Sequence, residues 1–221
     1  MGDMSIPQTL ERAATDLAPA LTVAPGKGPF HIKGLVIHGL LTYATEHVPG
    51  GPARVIESIQ DPVIREYVKQ PFLAASRYDI LPYLHTVAAA ASVLGVPTAR
   101  FAAEHCAWQA ERDVRGVYRL LLNLTSPETV AQRLGLAWKR YFDFARVDVL
   151  SVTPGCAVLS VREMPAILVP WYRVAVRAAG DAIIRLAGAK DIKVEFGYPE
   201  PDGEKAGFPL RRFELRRTWT R

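Results

Sequence analysis

Glu104, His105 and Cys106 stand side by side in "AAEHCAWQA", and Tyr118 is followed by Arg119 in "GVYRLLL". In these two places, residue types that ligate metals, attack carbonyls or carry protons come together. An acid, an imidazole and a thiol are the right chemistry for a metal ion or an activated cysteine. Their spacing argues against both. The flanking pattern is helical, and neighbours on a helix project about 100° apart, so the three side chains cannot converge on one ion. A nucleophilic Cys106 needs a base within reach and a depressed pKa. His105 points elsewhere on the same helix, which leaves Cys106 as a buried, inert thiol. The other histidines, His31, His38, His47 and His85, form no HExxH or HxH pattern. No GxSxG element occurs, and the "GKG" at 26–28 lacks the spacing of a phosphate loop. No catalytic residue, metal site or cofactor is expected, and the chain reads as a non-enzyme. Tyr118 with Arg119 is the motif most suited to a special role. Its plainer reading is a hydroxyl that ties a helix to a neighbouring carbonyl while the ring packs.

The remaining chemistry is apolar. Trp108, Tyr118, Trp138, Tyr141 and Trp171 are the candidate lining of a ligand pocket, since small molecules are held by apolar walls carrying a few polar groups. Opposite them stand alanine-rich stretches, "TVAAAAS" and "RVAVRAAGDAIIRLAGA". Small residues either draw helices together or leave room between them. Val130, Leu134, Ala137, Trp138 and Tyr141 form one stripe at helical spacing, which is also how an ordinary core face is written.

The elements that would position these residues follow from period and punctuation. Residues 1–30 read as a flexible N-terminal arm, rich in proline and glycine around "APALTVAPGKGPF", and residues 31–221 as one α+β domain. From 31 to 144 the period is helical. Val36, Leu40 and Tyr43 share a face, and a Pro-Gly-Gly stop follows. Asp61 is placed to cap a short helix, and "ILPYLHTVAAAASVLG" is apolar enough for the centre of a helical layer. Ser126, Pro127 and Glu128 suit the start of the next helix, as cap, first turn and dipole partner. From 145 the period becomes two. "TPG" is a type II turn between two strands, a helix runs from about Pro170 to Leu186, and two strands close the chain. Ile192, Val194 and Phe196 face one way, as do Phe213, Leu215 and Trp219, with "GYPEPDGEKAGF" a polar loop between. The expected architecture is an N-terminal helical layer packed on a small antiparallel sheet. The arginines at 211, 212, 216, 217 and 221 read as charges protecting a sheet edge.

Several stretches carry a resemblance: "HIKGLVI", "GVYRLLLNLTSPETVAQRLGLAWKRYFDFARVDV", the "PGCAVLSVREMP" hairpin and "LAGAKDIKVEF". From Ile32 to Trp219 the chain resembles a myxobacterial paralogous family of unknown function. That family is similar in fold to the 4-vinyl-reductase, haem-nitric-oxide-binding and TRAPP-subunit group. The resemblance implies a helical layer on an antiparallel sheet, with a cavity between the layers that in some members holds haem, an aromatic effector or an acyl chain. Three departures narrow it. Zinc-bearing relatives have a cysteine-rich hairpin near the C-terminus, where "GYPEPDGEKAGFPLRRFELRR" has neither cysteine nor histidine. Haem-binding relatives carry Tyr-x-Ser-x-Arg with a helix histidine, whereas Tyr118 and Arg119 are adjacent. TRAPP-like members can turn a cysteine toward the cavity, and Cys106 lies on a suitable helix. Fold analogy does not transfer function.

The totals set the remaining bounds. With 221 residues, 49% hydrophobic and 22% charged, a packed core is expected. The net charge of +5 is spread out, so no specific nucleic-acid partner is expected. Cys106 and Cys156 form no disulfide framework, consistent with a reducing cytoplasm. The N-terminus lacks the basic flank and apolar core of a signal peptide, Ile6 breaks the myristoylation pattern, and no apolar run approaches the roughly 20 residues of a membrane span. Two functions remain. One is a non-enzymatic ligand-binding or sensor and signalling module, with an apolar pocket between helices and sheet. The other is a dimeric interaction scaffold with a filled core and no ligand.

Overall fold

The computed structural model describes residues 17–115 and 126–221, so the Tyr118–Arg119 pair lies outside the described residues. Chain order begins with β1 (His31–Lys33), α1 (Gly34–His47), α2 (Gly51–Ser58), α3 (Pro62–Tyr67), β2 (Arg77–Asp79), α4 (Ile80–Leu94) and α5 (Thr98–Arg115). Local chemistry sets these boundaries. The Asp61 carboxylate accepts from the Val63 and Ile64 N–H groups at 2.7 and 3.2 Å and so starts α3. Gly95 closes α4 at φ +67°, where a side chain would be strained. Val36, Leu40 and Tyr43 are all buried on one face of α1, as their spacing demands. In α4, Ile80, Leu81, Leu84, Val87, Ala90 and Ala91 are fully enclosed, which is why that helix reads as apolar on nearly every side.

Asp79 fastens the chain entry to this layer. Its buried carboxylate accepts from Gly26 and Gly28 N–H at 3.1 and 2.9 Å and caps α4 through Leu81 N–H at 3.0 Å. Within the expected arm, Leu17 and Phe30 are buried and the His85 Nε2 atom lies 3.0 Å from the Pro19 carbonyl. Residues 1–16 lie outside the described residues.

The stripe from Val130 to Tyr141 forms two helices rather than one, α6 (Pro127–Ala131) and α7 (Leu134–Tyr141). Ser126 caps the first, its hydroxyl accepting from Thr129 N–H at 3.1 Å. The intervening turn lets α7 settle on the next strand. A Cβ on Gly135 would stand 2.3 Å from the Val147 carbonyl oxygen, so only glycine permits the approach.

The sheet comprises β3 (Arg146–Thr153), β4 (Cys156–Pro165), β5 (Lys190–Phe196), β6 (Glu200–Lys205) and β7 (Phe208–Thr220), with α8 (Val169–Leu186) between β4 and β5. All pairings are antiparallel, in the order β3-β4-β7-β5, with β6 also on β7. The β3–β4 turn has Gly155 at φ +74°, as a type II turn requires. Two expectations are corrected. The polar stretch after Phe196 contains β6, joined to β7 through Ala206 and Gly207, both at positive φ. Its side chains are mostly exposed, so it carries no period-two signal. And β7 is not an edge, since β4 lines one side and β5 and β6 the other. Helices cover the sheet face that carries Ala157, Leu159, Val161, Phe213, Leu215 and Trp219. The fold is thus α+β, a helical layer on an antiparallel sheet. Among the described residues no single helix is long and apolar enough to cross a membrane.

Candidate functional site

A cavity of about 160 Å³ lies between the helical layer and the sheet. The wall from α5 consists of Cys106, Gln109, Ala110, Asp113 and Val114, residues spaced three and four apart. The opposite face of α5 carries Phe101, His105 and Trp108, which pack around Tyr43 with ring centroids 5.5, 5.5 and 5.3 Å away. Trp108 therefore does not line the cavity. It lies one helical face away, under the Arg112 guanidinium at 5.1 Å. Cys106 does reach the cavity while its neighbour His105 turns from it, as adjacent helix positions must.

The second wall is α7. Leu134, Ala137, Trp138 and Tyr141 all face the cavity, joined by Phe142. Trp138 is fixed on every side. Its Nε1–H donates to the Phe144 carbonyl at 2.9 Å, its ring stacks on Phe142 at 3.9 Å, and Phe144 and Tyr172 meet it edge-on. Tyr141 donates its hydroxyl to Asp113 at 2.7 Å, a bond between α7 and α5. Burial raises the Asp113 pKa, and the Tyr141 hydrogen bond and the charge of Arg112 oppose it. Trp171 and Tyr172 enter from the start of α8, followed by Ala175, Val176, Ala179, Gly180 and Ile183, so the alanine-rich stretch leaves room on this side.

The floor is the sheet, with Val147, Leu159 and Leu215 and one charge, Arg217. Arg217 shares the inward parity of Phe213, Leu215 and Trp219, and it is fully buried. Its cross-strand neighbours are Ala157 and Val194, and above it lies Gly180, where a Cβ would stand 2.3 Å from Nη1. Small residues above and beside it make the space for the guanidinium. Nε lies 3.1 Å from the Asp181 carboxylate, and Nη2 donates to the Val176 and Arg177 carbonyls at 3.0 and 3.4 Å. Burial lowers the Arg217 pKa and the Asp181 charge resists that shift, so the two stand as an ion pair inside the molecule. The sequence signal was available, because position 217 falls in phase with the apolar residues. Its charge argued for the surface instead.

Three lining side chains carry buried polar atoms without a hydrogen-bond partner: the Tyr83 hydroxyl, Trp171 Nε1, and Nη1 and Nε of Arg217, the last facing Asp181 only as an ion pair. Burial pushes the Cys106 thiol up to about 12, so it stays protonated at neutral pH. Burial also raises the hydroxyls of Tyr83 and Tyr172. No group of three metal-ligating side chains occurs among the described residues.

No protein-family model matches the chain, and no curated protein matches it either. Solved structures do. An Fe(II) unliganded H-NOX protein from K. algicida aligns with a TM-score of 0.56 at 10% identity, over 86% of this chain and 97% of that one. An H-NOX structure concerned with heme distortion aligns at 0.55 and 11% identity, over 86% and 95%. An oxygen-binding H-NOX domain related to soluble guanylate cyclases, in its oxygen complex, aligns at 0.53 and 13% identity, over 86% and 95%. The chain has the fold of H-NOX domains.

That fold family implies a heme, and the described residues of this cavity do not suit one. Heme iron is held by histidine, cysteine thiolate, methionine or tyrosinate. Among the described residues no histidine or methionine lines the cavity, and His105 faces the opposite side of its helix. Cys106, Tyr83 and Tyr172 are held in their protonated forms by burial. The one cation among the described residues of the wall, Arg217, is already paired with Asp181, so these residues offer no cationic cradle for propionates. The volume of about 160 Å³ is also below the roughly 300–1,000 Å³ of pockets for drug-sized ligands.

Proposed function

We propose that this protein is a non-enzymatic small-molecule-binding module of H-NOX-like fold whose cavity takes a small apolar ligand in place of heme. The carrying observation is the cavity between α5, α7, α8 and the sheet, walled by aromatic and aliphatic side chains. On this reading Trp138, Tyr141 and Trp171 belong to the binding wall, with Phe142 and Tyr172. Trp108 supports α5 from its far face, and Tyr118, outside the described residues, keeps its place as a candidate. Binding would be driven by apolar burial, about 25 cal/mol per Å² before ordering costs. The apolar character of the wall among the described residues supports a sensor or regulatory role, and the stretches that resemble the myxobacterial family support membership in it.

Mass spectrometry of the purified chain under native and denaturing conditions, with an absorption spectrum beside it, tests this reading. The expected result is a non-covalent mass increment of a small organic molecule and no Soret band. A Soret band overturns the exclusion of heme. A clean apo mass appearing as a dimer that survives dilution, and that takes up no apolar probe, favours the interaction scaffold.

A further inference from the structure

Among the described residues the cavity wall carries two charged side chains, Arg217 and Asp113, and only one of them is answered. Arg217 is paired with Asp181. Asp113 comes from α5, on the helical face it shares with Cys106, Gln109 and Ala110. Its Oδ2 accepts from the Tyr141 hydroxyl at 2.7 Å. Its other oxygen, Oδ1, takes no hydrogen bond among the described residues and is not one of the atoms sealed from water. The cation next to it in sequence, Arg112, turns to the far face of α5. There its guanidinium lies over the Trp108 ring at 5.1 Å and 3.2 Å from the Glu46 carboxylate. Burial raises the Asp113 pKa in spite of the Tyr141 hydrogen bond and the Arg112 charge, so this carboxylate is short of the solvation its ionised form needs. A cation brought to Oδ1 supplies it.

The balance of charge sets the class of ligand. With Arg217 neutralised, and with Cys106, Tyr83 and Tyr172 protonated, the described wall sums to a single negative charge. An anionic ligand would meet that charge with its own sign, and a neutral one would leave it unanswered. An ammonium ion answers it through a charge-assisted hydrogen bond. The aromatic side chains of the same wall favour such an ion too, since π faces attract cations. Size sets the apolar part. A cavity of about 160 Å³ is comparable with the roughly 150 Å³ apolar cavity, engineered in another protein, that binds benzene. We infer that the ligand is an organic ammonium ion, an apolar body of about six carbons bearing one protonated amine that pairs with Asp113 Oδ1. This rests on the binding-module reading above and specifies the substrate class of the same cavity: the body fills the apolar space, and the amine is the added feature.

The test uses the full chain and three probes of one length that differ only in charge: hexylamine, 1-hexanol and hexanoate. Affinities are measured by titration calorimetry at neutral pH, where the amine is protonated and hexanoate ionised. The expected result is that hexylamine binds at least about tenfold tighter than hexanol, the worth of a hydrogen bond to a charged group, with hexanoate the weakest. Asp113→Asn is the matching variant. Its amide oxygen still accepts from the Tyr141 hydroxyl, so the α5–α7 bond is kept while the charge is lost. Hexylamine should then fall to the affinity of hexanol, and hexanol itself should bind as it does to the parent. If Asp113 serves only to tie the two helices, the substitution leaves the ranking of the probes where it was. Hexylamine no tighter than hexanol, hexanoate as the best ligand, or an amine preference that survives Asp113→Asn overturns the inference while the binding module stands. The ranking in the parent protein decides by itself should the variant fail to fold. Failure of all three probes to bind at their solubility limits removes the module reading itself.

Discussion

At the scale of single residues, Trp138 does two jobs that a substitution separates. It fills the space between Phe142, Phe144 and Tyr172, and it hydrogen-bonds the Phe144 carbonyl. Trp138→Ala is expected to cost about 3–5 kcal/mol in denaturant unfolding, the usual range for a large buried aromatic. It should also enlarge the cavity, so probes bulkier than one ring gain affinity in whatever fraction remains folded. His105 gives a second prediction. Burial holds its pKa at about 4 rather than 6.5. Between those values the unfolded chain takes up a proton that the folded chain refuses. Stability therefore falls as pH drops through that window, by roughly 3 kcal/mol in total. His105→Phe should flatten this part of the profile, measured by urea unfolding at a series of pH values. Three of the aromatic candidates were legible at this scale because helical spacing places Trp138 and Tyr141 together and Trp171 opens α8. Trp108 was not, because which face of an amphipathic helix meets a cavity is settled by its packing partners. For α5 those are Tyr43 and His47 on one side and α8 on the other. The unpartnered donors of Tyr83 and Trp171 were illegible for the same reason. Being without a partner is a property of the surroundings, not of the residue.

At the scale of elements, the cavity depends on how closely α7 approaches the sheet. The contact point is Gly135, against the Val147 carbonyl. Gly135→Ala is expected to push α7 outward and cost about 1–3 kcal/mol, as overpacking does. Near-ultraviolet circular dichroism should change as well, since Trp138 and Tyr141 move with the helix. The helix starts at Asp61 and Ser126 and the turn at Gly155 were readable in sequence, because each is chemistry held within three residues. The break between α6 and α7 was not, since the apolar stripe runs through it unbroken. Strand β6 escaped because its side chains face solvent on nearly every position, so burial never wrote a pattern into it. The place of β7 inside the sheet was hidden as well. Strand order is a long-range property, and a run of arginines reads as an edge until the neighbours are known.

At the scale of the whole molecule, Arg221, just past β7, is tied back to the helical layer. Glu128, at the start of α6, accepts from the Gly155 N–H at 3.2 Å and from Arg221 at 2.9 Å, linking a helix, the β3–β4 turn and the segment after β7. Burial alone would raise its pKa, but these hydrogen bonds and the Arg221 charge outweigh burial and hold it at about 2, against 4.5 unperturbed. A depressed carboxylate stabilises the fold above its unfolded pKa and loses that stabilisation as pH falls. Stability should therefore decline from about pH 4.5 toward 2, and Glu128→Gln should remove this decline while lowering stability at pH 7. Thermal unfolding of both proteins from pH 7 to 3 checks the sign. The likeness to H-NOX structures spans most of the chain at 10 to 13% identity, so the architecture is shared while the described residues of this wall include none suited to hold a heme.

The buried Arg217 has one more consequence, for the uniqueness of the native pairing. From Phe213 to Trp219 strand β7 alternates so regularly that sliding this part by two residues against β4 would still turn apolar side chains inward, and hydrophobicity alone could barely tell the two arrangements apart. The guanidinium can. In the correct register it sits beside Ala157, beneath Gly180 and within reach of Asp181; displaced by two positions it would be thrust against Leu159 or carried past the end of the pocket made for it. A side chain that adds little to the depth of the native energy well thus raises the floor of its nearest competitor, and misregistered sheets are rejected by one charge with a single place to go.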